Sequence, residues 1–357
     1  MADSIEETLW LACAAGDMET VKSILEQHPL ANVNWVGPEK GDAPLHRACR
    51  FGHIEIVKEL MRHPEIKVNQ GNTGNGGPFY LACQEGFVKI VRWLLADPRI
   101  DPTMTQKELA TPFYIACQEG RHEVVSLLLG DPRIDPNQAD VDEATPFNSA
   151  CERGHDTVVS LLLEDPRLDV NKPMESQAAP ILFAAQNGNL SIVQRMLASA
   201  KEIDTKRVST LTDSAAAEHA RLMVHFPKQN YETEEDLKRR QQHNMVIANM
   251  IEEYERDPIT VRHRLRQTRG IREHFIGHTF ALVVFFSDGF ATATKATPPP
   301  VARFFEICVR LPLDLQMVLC NRAFGSSREI VSFRDSEPGF KCLLRSVTWG
   351  NARLVIT

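Results

Sequence analysis

Apolar residues in the first 205 residues of the chain recur in a block that repeats every 34 residues. Each block carries Ala, then Gly four positions later and Val five positions after the Gly, followed by a Leu-rich stretch. This spacing places apolar side chains on one face of a short helix before the Gly and on one face of a second helix after it. The pattern therefore predicts an inner and an outer helix in each block, running antiparallel.

Helix-breaking residues mark the ends of both predicted helices. Proline at a first helical position costs no hydrogen bond, and a proline opens five of the blocks at constant spacing: Pro44, Pro78, Pro112, Pro146 and Pro180. The Gly is expected to end the inner helix in a left-handed conformation. The outer helices are expected to end at His-Pro or Asp-Pro steps, because the residue before proline is driven out of the α region. An Asn follows five residues later, except at Thr103, and leads into a hairpin loop.

Six such copies, the first with Thr8 in place of the proline, resemble the ankyrin repeat over residues 5 to about 205. The resemblance implies an all-α solenoid in which every repeat stacks on its neighbours, with a partner protein bound on the concave surface of inner helices and hairpin tips. The family's loop-bracing histidine stands at His46, but four copies lack it and carry Tyr80, Tyr114, Asn148 and Leu182 at that position. Its hydrogen bonds are not expected in those copies.

The candidate binding residues are the side chains of the inner helices that do not pack between repeats. Aromatic residues are enriched in the anchors that carry interface energy, and polar residues surround them. We predict that a partner contacts Arg50, Phe51, Tyr80, Gln84, Glu85, Tyr114, Gln118, Glu119, Glu152, Arg153, Gln186 and Asn187. For the two tyrosines a second interpretation stays open, in which they only brace the turns.

Charge is distributed unevenly between the two halves of the chain. Residues 1–205 contain 18 Lys and Arg against 30 Asp and Glu, whereas residues 206–357 contain 22 against 17. An acidic array repels phosphate backbones, which makes nucleic acid an unlikely partner and favours a basic protein surface. We expect no membrane span and no secretory signal, because the longest apolar run covers only residues 280–286 and the N-terminus is acidic.

The cysteines are predicted to pack in the core instead of performing chemistry. Five of the eight occupy one repeat position, where the last copy has Ala185, so the position needs only a small apolar side chain: Cys13, Cys49, Cys83, Cys117 and Cys151. We expect no disulfides and a reducing compartment, the cytoplasm, with the nucleus as the alternative. Phosphate-binding loops, nucleophile motifs and metal signatures are absent from the sequence, so we expect no catalytic residues, no metal and no cofactor.

The remainder of the chain divides into four predicted segments. Residues 206–258 are interpreted as a degenerate seventh repeat with a charged insertion, and residues 259–290 as a helical region that opens with an arginine cluster. A Pro-rich linker covers 291–302 and a small helical module covers 303–357. The arginine cluster is expected to contact an acidic partner or the acidic array itself.

The small module partly resembles the F-box. The resemblance rests on a Leu-Pro-x-acidic-Leu stretch before an apolar helix and implies docking of a Skp-type adaptor of cullin ubiquitin ligases through Leu311, Pro312, Leu315 and Leu319. In the alternative interpretation the module is a helical cap that closes the solenoid. The leading hypothesis is therefore a non-enzymatic interaction scaffold, and the alternative is a substrate receptor of a ubiquitin ligase.

Overall fold

The computed structural model describes residues 4–228 and 232–268, the single residues 271, 276 and 279, and the backbone of 291–293 and 354–356. The helices are α1 Ile5–Ala15, α2 Met18–Gln27, α3 Pro44–Phe51, α4 Ile54–Arg62, α5 Pro78–Glu85, α6 Val88–Leu95, α7 Pro112–Gln118, α8 His122–Leu129, α9 Pro146–Arg153, α10 Asp156–Glu164, α11 Pro180–Gln186, α12 Leu190–Ala198, α13 Ala216–Val224, α14 Glu234–Arg256 and α15 Pro258–Arg266. The predicted all-α class is confirmed. Strands β1 Ala291–Ala293 and β2 Leu354–Ile356 add one small parallel ribbon. Within the described residues no helix is long and apolar enough to cross a membrane.

The predicted proline starts and glycine stops of the inner helices are confirmed. All five prolines occupy the first turn of an inner helix, and two of them follow a threonine that caps the helix: Thr111 Oγ1 accepts a hydrogen bond from the backbone N–H of Tyr114 at 3.0 Å. The glycine after each of the six inner helices of the repeats has a φ between +67° and +85°. A residue with a Cβ is strained in this left-handed region, which explains why the position is always glycine.

Close packing between repeats gives these glycines a second role. The residue after the glycine of one repeat lies over the glycine of the preceding repeat, so that a Cβ on Gly120 would stand 2.6 Å from the His155 ring. His155 Nε2 also donates to the Gln118 carbonyl at 2.8 Å, which satisfies an acceptor at the end of the preceding inner helix. His53, Arg121 and Asn189 form the equivalent bonds in their repeats. Four junctions between repeats are thus hydrogen-bonded at the end of the inner helix, whereas at the junction of the second and third repeats Phe87 packs its ring on Gly52.

One continuous apolar core runs through the stack from α1 to α15. Its largest fully buried side chains include Phe113 and Phe147, which occupy the same position in successive inner helices. The five repeated cysteines are all buried and free, as the sequence predicts for packing residues. Burial raises the pKa of each of these thiols well above its usual value, so none of them forms a reactive thiolate.

An asparagine ladder ties the turns that follow the outer helices. Asn137 Nδ2 donates to the Arg167 carbonyl at 2.7 Å, and its Oδ1 accepts from the Asp169 N–H at 2.8 Å, so one side chain clamps the next repeat. Asn34, Asn69 and Asn171 form the same pair of bonds. Thr103 instead caps its own turn by bonding to Asp101, which leaves one gap in the ladder.

We expect the substitution Thr103→Asn to stabilise the array, because the amide would reach the next repeat as its four equivalents do. Two added hydrogen bonds, offset by the lost hydroxyl bond to Asp101, give an expected gain of about 1 kcal/mol in the free energy of unfolding. Urea denaturation followed by circular dichroism measures it. Thr103→Ser, which keeps the hydroxyl, is the control and should change the midpoint little; a destabilised Asn variant would contradict the ladder.

Arginines form a second ladder at the carboxyl ends of the outer helices. Arg133 pairs with Asp131 and donates to the carbonyls of Leu95 and Ile100 in the preceding repeat. Arg167 does the same one repeat later, pairing with Asp165. Cations at this end of a helix also complement its dipole.

Helix α15 continues this second ladder from the end of the stack. Arg266 donates to the Ala198 carbonyl at the end of α12, and Arg262 donates to the Lys201 carbonyl and to the Tyr254 hydroxyl. Two described arginines of the predicted cluster, Arg262 and Arg266, thus contact the array itself, and Arg264 pairs with Glu253 of α14. Arg269 and Arg272 lie outside the described residues.

Helices α13 and α14 extend the stack beyond the six repeats. Thr210 N donates to the Ser176 carbonyl in the same way that the preceding hairpin tips are joined, and Asn244 lies over Gly188. The charged stretch from residue 234 onward is the first part of α14, which runs without a break to Arg256. A Thr233 cap, three acidic residues in the first turn and the absence of proline or glycine explain this continuity.

Candidate functional site

The inner surface consists of the exposed sides of the inner helices and the tips of the hairpin loops. Four of the twelve predicted binding residues are exposed there: Phe51, Glu152, Arg153 and Asn187. Seven are half-buried: Arg50, Tyr80, Gln84, Glu85, Gln118, Glu119 and Gln186. Tyr114 is buried, with 5% of its surface exposed, and we leave it out of the candidate surface for that reason.

Arg50 is held inside the protein by a buried carboxylate. Its Nη2 lies 3.0 Å from Oδ2 of Asp42, whose side chain is 1% exposed, and Asn72 Nδ2 donates to the other oxygen of the same carboxylate. The Asp42 backbone carbonyl accepts from Trp10 Nε1 at 2.7 Å. Removal of one member of such a pair leaves a buried charge alone, so Arg50 stabilises the first hairpin before it can serve a partner.

The two tyrosines lie at equivalent places between neighbouring repeats. Burial, followed by the nearby carboxylates of Glu108 and Glu119, raises the pKa of Tyr80 to about 12. Burial, followed by Asp140, raises the pKa of Tyr114 above its usual value. Each tyrosine is therefore close to an acid on the next hairpin, and the two hydroxyls stay neutral. This environment agrees with the interpretation in which the tyrosines brace the turns.

Carboxylates collect on the inner helices of the fourth and fifth repeats and on the hairpin tips that lead into the fourth to sixth repeats. We call this group the acidic patch: Glu108, Glu119, Asp140, Asp142, Glu143, Glu152 and Glu175. Within residues 4–228 and 232–268 none of the seven forms an ion pair. Two basic residues, Lys107 and Arg153, belong to the same stretch of the inner surface. The patch therefore retains a strong negative charge.

Hydrogen bonds between successive hairpins fix the tips that carry these acids. The Val141 N–H donates to the Glu108 carbonyl at 2.9 Å, and the Glu175 N–H donates to the Asp142 carbonyl at 3.2 Å. Asp140 Oδ1 accepts from the backbone N–H groups of Asp142 and Ala144, so this acid also shapes its own loop. None of these tip acids is among the twelve candidate residues predicted from the sequence. The signal was present, since acids recur near one repeat position.

Aromatic residues form a second cluster at the N-terminal end of the inner surface. The Arg47 guanidinium lies 4.0 Å from the centre of the Trp10 ring and 5.0 Å from that of Phe51, and it pairs with Glu39. Trp35 packs edge-on against Trp10, with ring centres 6.4 Å apart. Sequence reasoning found Phe51 alone, because the indoles of Trp10 and Trp35 come from α1 and from the first hairpin.

The described residues offer little to catalysis or to a metal. No group of three or more His, Cys, Asp or Glu is placed to hold a metal ion in this part of the chain. One groove of about 670 Å³ is lined by three acids, Glu202, Asp204 and Glu255, and by two bases, Lys206 and Arg262. No histidine, cysteine or serine is among the residues that line it.

The proposed adaptor-docking residues Leu311, Pro312, Leu315 and Leu319 lie outside the described residues. Docking of a Skp-type adaptor therefore stays a prediction that rests on the F-box resemblance.

Comparison with known proteins supports the ankyrin-repeat fold. A family model described as ankyrin repeats matches in three overlapping copies, at residues 9–106, 79–174 and 113–209. The ankyrin repeat protein YahD of Escherichia coli is 40% identical over 62 residues, which is 17% of this chain and 29% of YahD, so the chain spans less than a third of that relative.

Two solved structures share the architecture. The human ASB11 ankyrin repeat domain aligns with a TM-score of 0.53 at 23% identity, covering 67% of this chain and 96% of the domain. The ankyrin repeat domain of Bcl-3, a member of the IkappaB protein family, aligns with a TM-score of 0.52 at 21% identity, covering 59% of this chain and 92% of that domain. At these identities the likeness concerns the fold alone.

Proposed function

The chain belongs to the ankyrin-repeat family, whose repeat domain is in general a protein–protein interaction module, and on that premise we propose that it is a non-enzymatic scaffold that binds a basic segment of a partner protein. The acidic patch is the observation that supports this proposal most. Its seven carboxylates form no ion pair with any residue that the structure describes, and most of them are exposed. Complementary charge speeds association and selects against partners of the same sign.

Burial and internal pairing narrow the set of residues that we assign to binding. Glu119, Glu152 and Arg153 stay in the proposed interface, together with the tip acids of the acidic patch. Arg50 and Tyr114 are assigned to the support of the hairpins, because one is paired with Asp42 and the other is buried. We place the interaction in the cytoplasm, where the free thiols of the five stacked cysteines would stay reduced. The ubiquitin-ligase alternative has the support of the F-box resemblance alone.

Neutralising part of the acidic patch should weaken binding of a basic peptide. The variant carries Glu119→Gln, Asp142→Asn, Glu143→Gln and Glu152→Gln, and the probe is a fluorescent 15-residue peptide of alternating Lys, Arg and Ser. Each exposed charge contributes roughly 0.5 kcal/mol, so we expect an affinity loss of about 10- to 30-fold at low salt. Fluorescence anisotropy measures it, and the loss should shrink as salt rises.

A matched control separates the patch from the net charge of the protein. Glu26→Gln, Glu65→Gln, Glu123→Gln and Glu202→Gln also remove four exposed carboxylates, but from outer helices and the turns after them. This variant should bind the basic peptide within about twofold of the unmodified chain. If both variants lose affinity equally, or if an acidic peptide of the same length binds as well, the proposal is wrong.

A further inference from the structure

The N-terminal end of the inner surface carries apolar side chains that the stack leaves exposed. Leu11 on α1 is 45% exposed and Phe51 on α3 is 46% exposed, and both belong to inner helices. Trp35 in the first hairpin is half-buried and packs on Trp10. The Arg47 guanidinium lies between the Phe51 ring and the same Trp10 ring. We call Leu11, Trp35 and Phe51 the aromatic patch. Its rings are held in place before any partner arrives, which reduces the entropy that binding costs.

The position of Phe51 is polar in the following repeats. One repeat on, the equivalent residue is Glu85, then Glu119, then Arg153 and finally Asn187. An exposed phenylalanine among polar equivalents is not required by the repeat, because stacking is satisfied by Glu or Asn at the same place. The inner surface therefore changes along its length from apolar at the first two repeats to acidic from the fourth repeat onward.

From this change in character we propose that the partner is an extended peptide segment with a bulky apolar side chain at one end, seated on the aromatic patch, and a cluster of Lys or Arg at the other end, on the acidic patch. The inference rests on the proposed function and adds the apolar anchor and its spacing. An aromatic or aliphatic side chain would pack on the exposed side of the Phe51 ring, and large apolar anchors of this kind carry most of the energy of an interface.

The stack sets the distance between anchor and charge. Neighbouring packed helices are roughly 8–10 Å apart, so Phe51 on α3 is separated from Glu119 on α7 by about 16–20 Å and from Glu152 on α9 by about 24–30 Å. An extended chain advances about 3.3 Å per residue. The basic cluster should therefore follow or precede the apolar residue by about 5–9 positions.

Selection from a random peptide library tests the inference without knowledge of the natural partner. The probe is a phage library of random 16-residue peptides, selected on the full-length chain. We expect enriched peptides to carry Trp, Phe, Leu, Ile or Met about 5–9 positions from two or more Lys or Arg residues. Enrichment of basic peptides without an apolar residue at that spacing would overturn the inference and leave the proposed function in place. Enrichment of peptides without basic residues, or of none, would overturn both.

Single substitutions test the anchor on one enriched peptide. Phe51→Ser should weaken binding of this peptide at least about tenfold. A second peptide, in which the apolar residue is replaced by Ser, should bind the Phe51→Ser variant and the unmodified chain with equal affinity. Trp93→Ser is the matched control, because Trp93 is 47% exposed on the outer helix α6, away from the inner surface. Circular dichroism and thermal unfolding confirm that both variants fold. Equal losses in the two variants, or none in Phe51→Ser, would contradict the aromatic patch as the anchor.

Discussion

The variant Phe147→Ala is expected to lose about 3–5 kcal/mol of unfolding free energy, the largest stability effect among the side chains considered. Phe147 is fully buried at the second position of inner helix α9, where the preceding copy has Phe113 and the following copy Ile181. Truncation removes the apolar area of one ring and leaves a cavity, which the helices on either side cannot fill without breaking the hydrogen bonds that join the repeats.

Denaturation by urea, followed by far-ultraviolet circular dichroism, measures this loss. Phe51→Ala makes the same chemical change on an exposed side chain and should cost less than about 1 kcal/mol. Because each repeat contacts only its neighbours, hydrogen exchange should show the loss of protection first around α7, α9 and α11. A Phe147→Ala midpoint close to that of Phe51→Ala would mean that the core is not continuous at this repeat.

The repeat period made most of the fold predictable from the sequence. Proline and glycine act through backbone geometry alone, so their positions define where the inner helices begin and end before any tertiary contact is known. The pattern also assigned the cysteines correctly, since Ala185 at the same position shows what that position requires. Beyond the last regular copy the period is lost, and the charged stretch was interpreted as an insertion because it does not fit the repeat pattern. Its Glu, Lys, Arg and Gln residues are nevertheless good helix formers, and α14 runs through them.

The candidate site was less predictable, because exposure and pairing depend on contacts between hairpins. Nothing in the sequence around Arg50 identifies Asp42 as its partner, eight residues earlier on another element. The burial of Tyr114 likewise depends on how closely the next hairpin approaches, and the cluster of Trp10, Trp35 and Arg47 brings together three separate elements. The position of a residue in the repeat predicts which way its side chain points. Whether that side chain is available to a partner depends on its contacts with neighbouring hairpins.

Replacement of a single glycine at the junction between repeats should lower the free energy of unfolding almost as much as Phe147→Ala. Gly120→Ala is expected to destabilise the array by about 2–4 kcal/mol. The φ of Gly120 is +67°, which costs a residue with a Cβ about 1 kcal/mol or more. The new methyl group would also stand 2.6 Å from His155 Nδ1 and 2.8 Å from its Cε1, well inside contact distance.

The second cost is the larger one because His155 cannot move freely. Its Nε2 donates to the Gln118 carbonyl, and the residue itself precedes helix α10, so displacement of the ring opens the junction between two repeats. The control is Gly74→Ala in the second hairpin, where the nearest atom to a new Cβ is Asn72 Oδ1 at 3.4 Å and φ is not positive. The two variants should therefore differ clearly in their midpoints of thermal and urea unfolding. The double variant Gly120→Ala with His155→Ala should recover part of the lost stability, because it removes the clash. If Gly120→Ala unfolds at the same urea concentration as Gly74→Ala, the close approach between repeats does not contribute to stability.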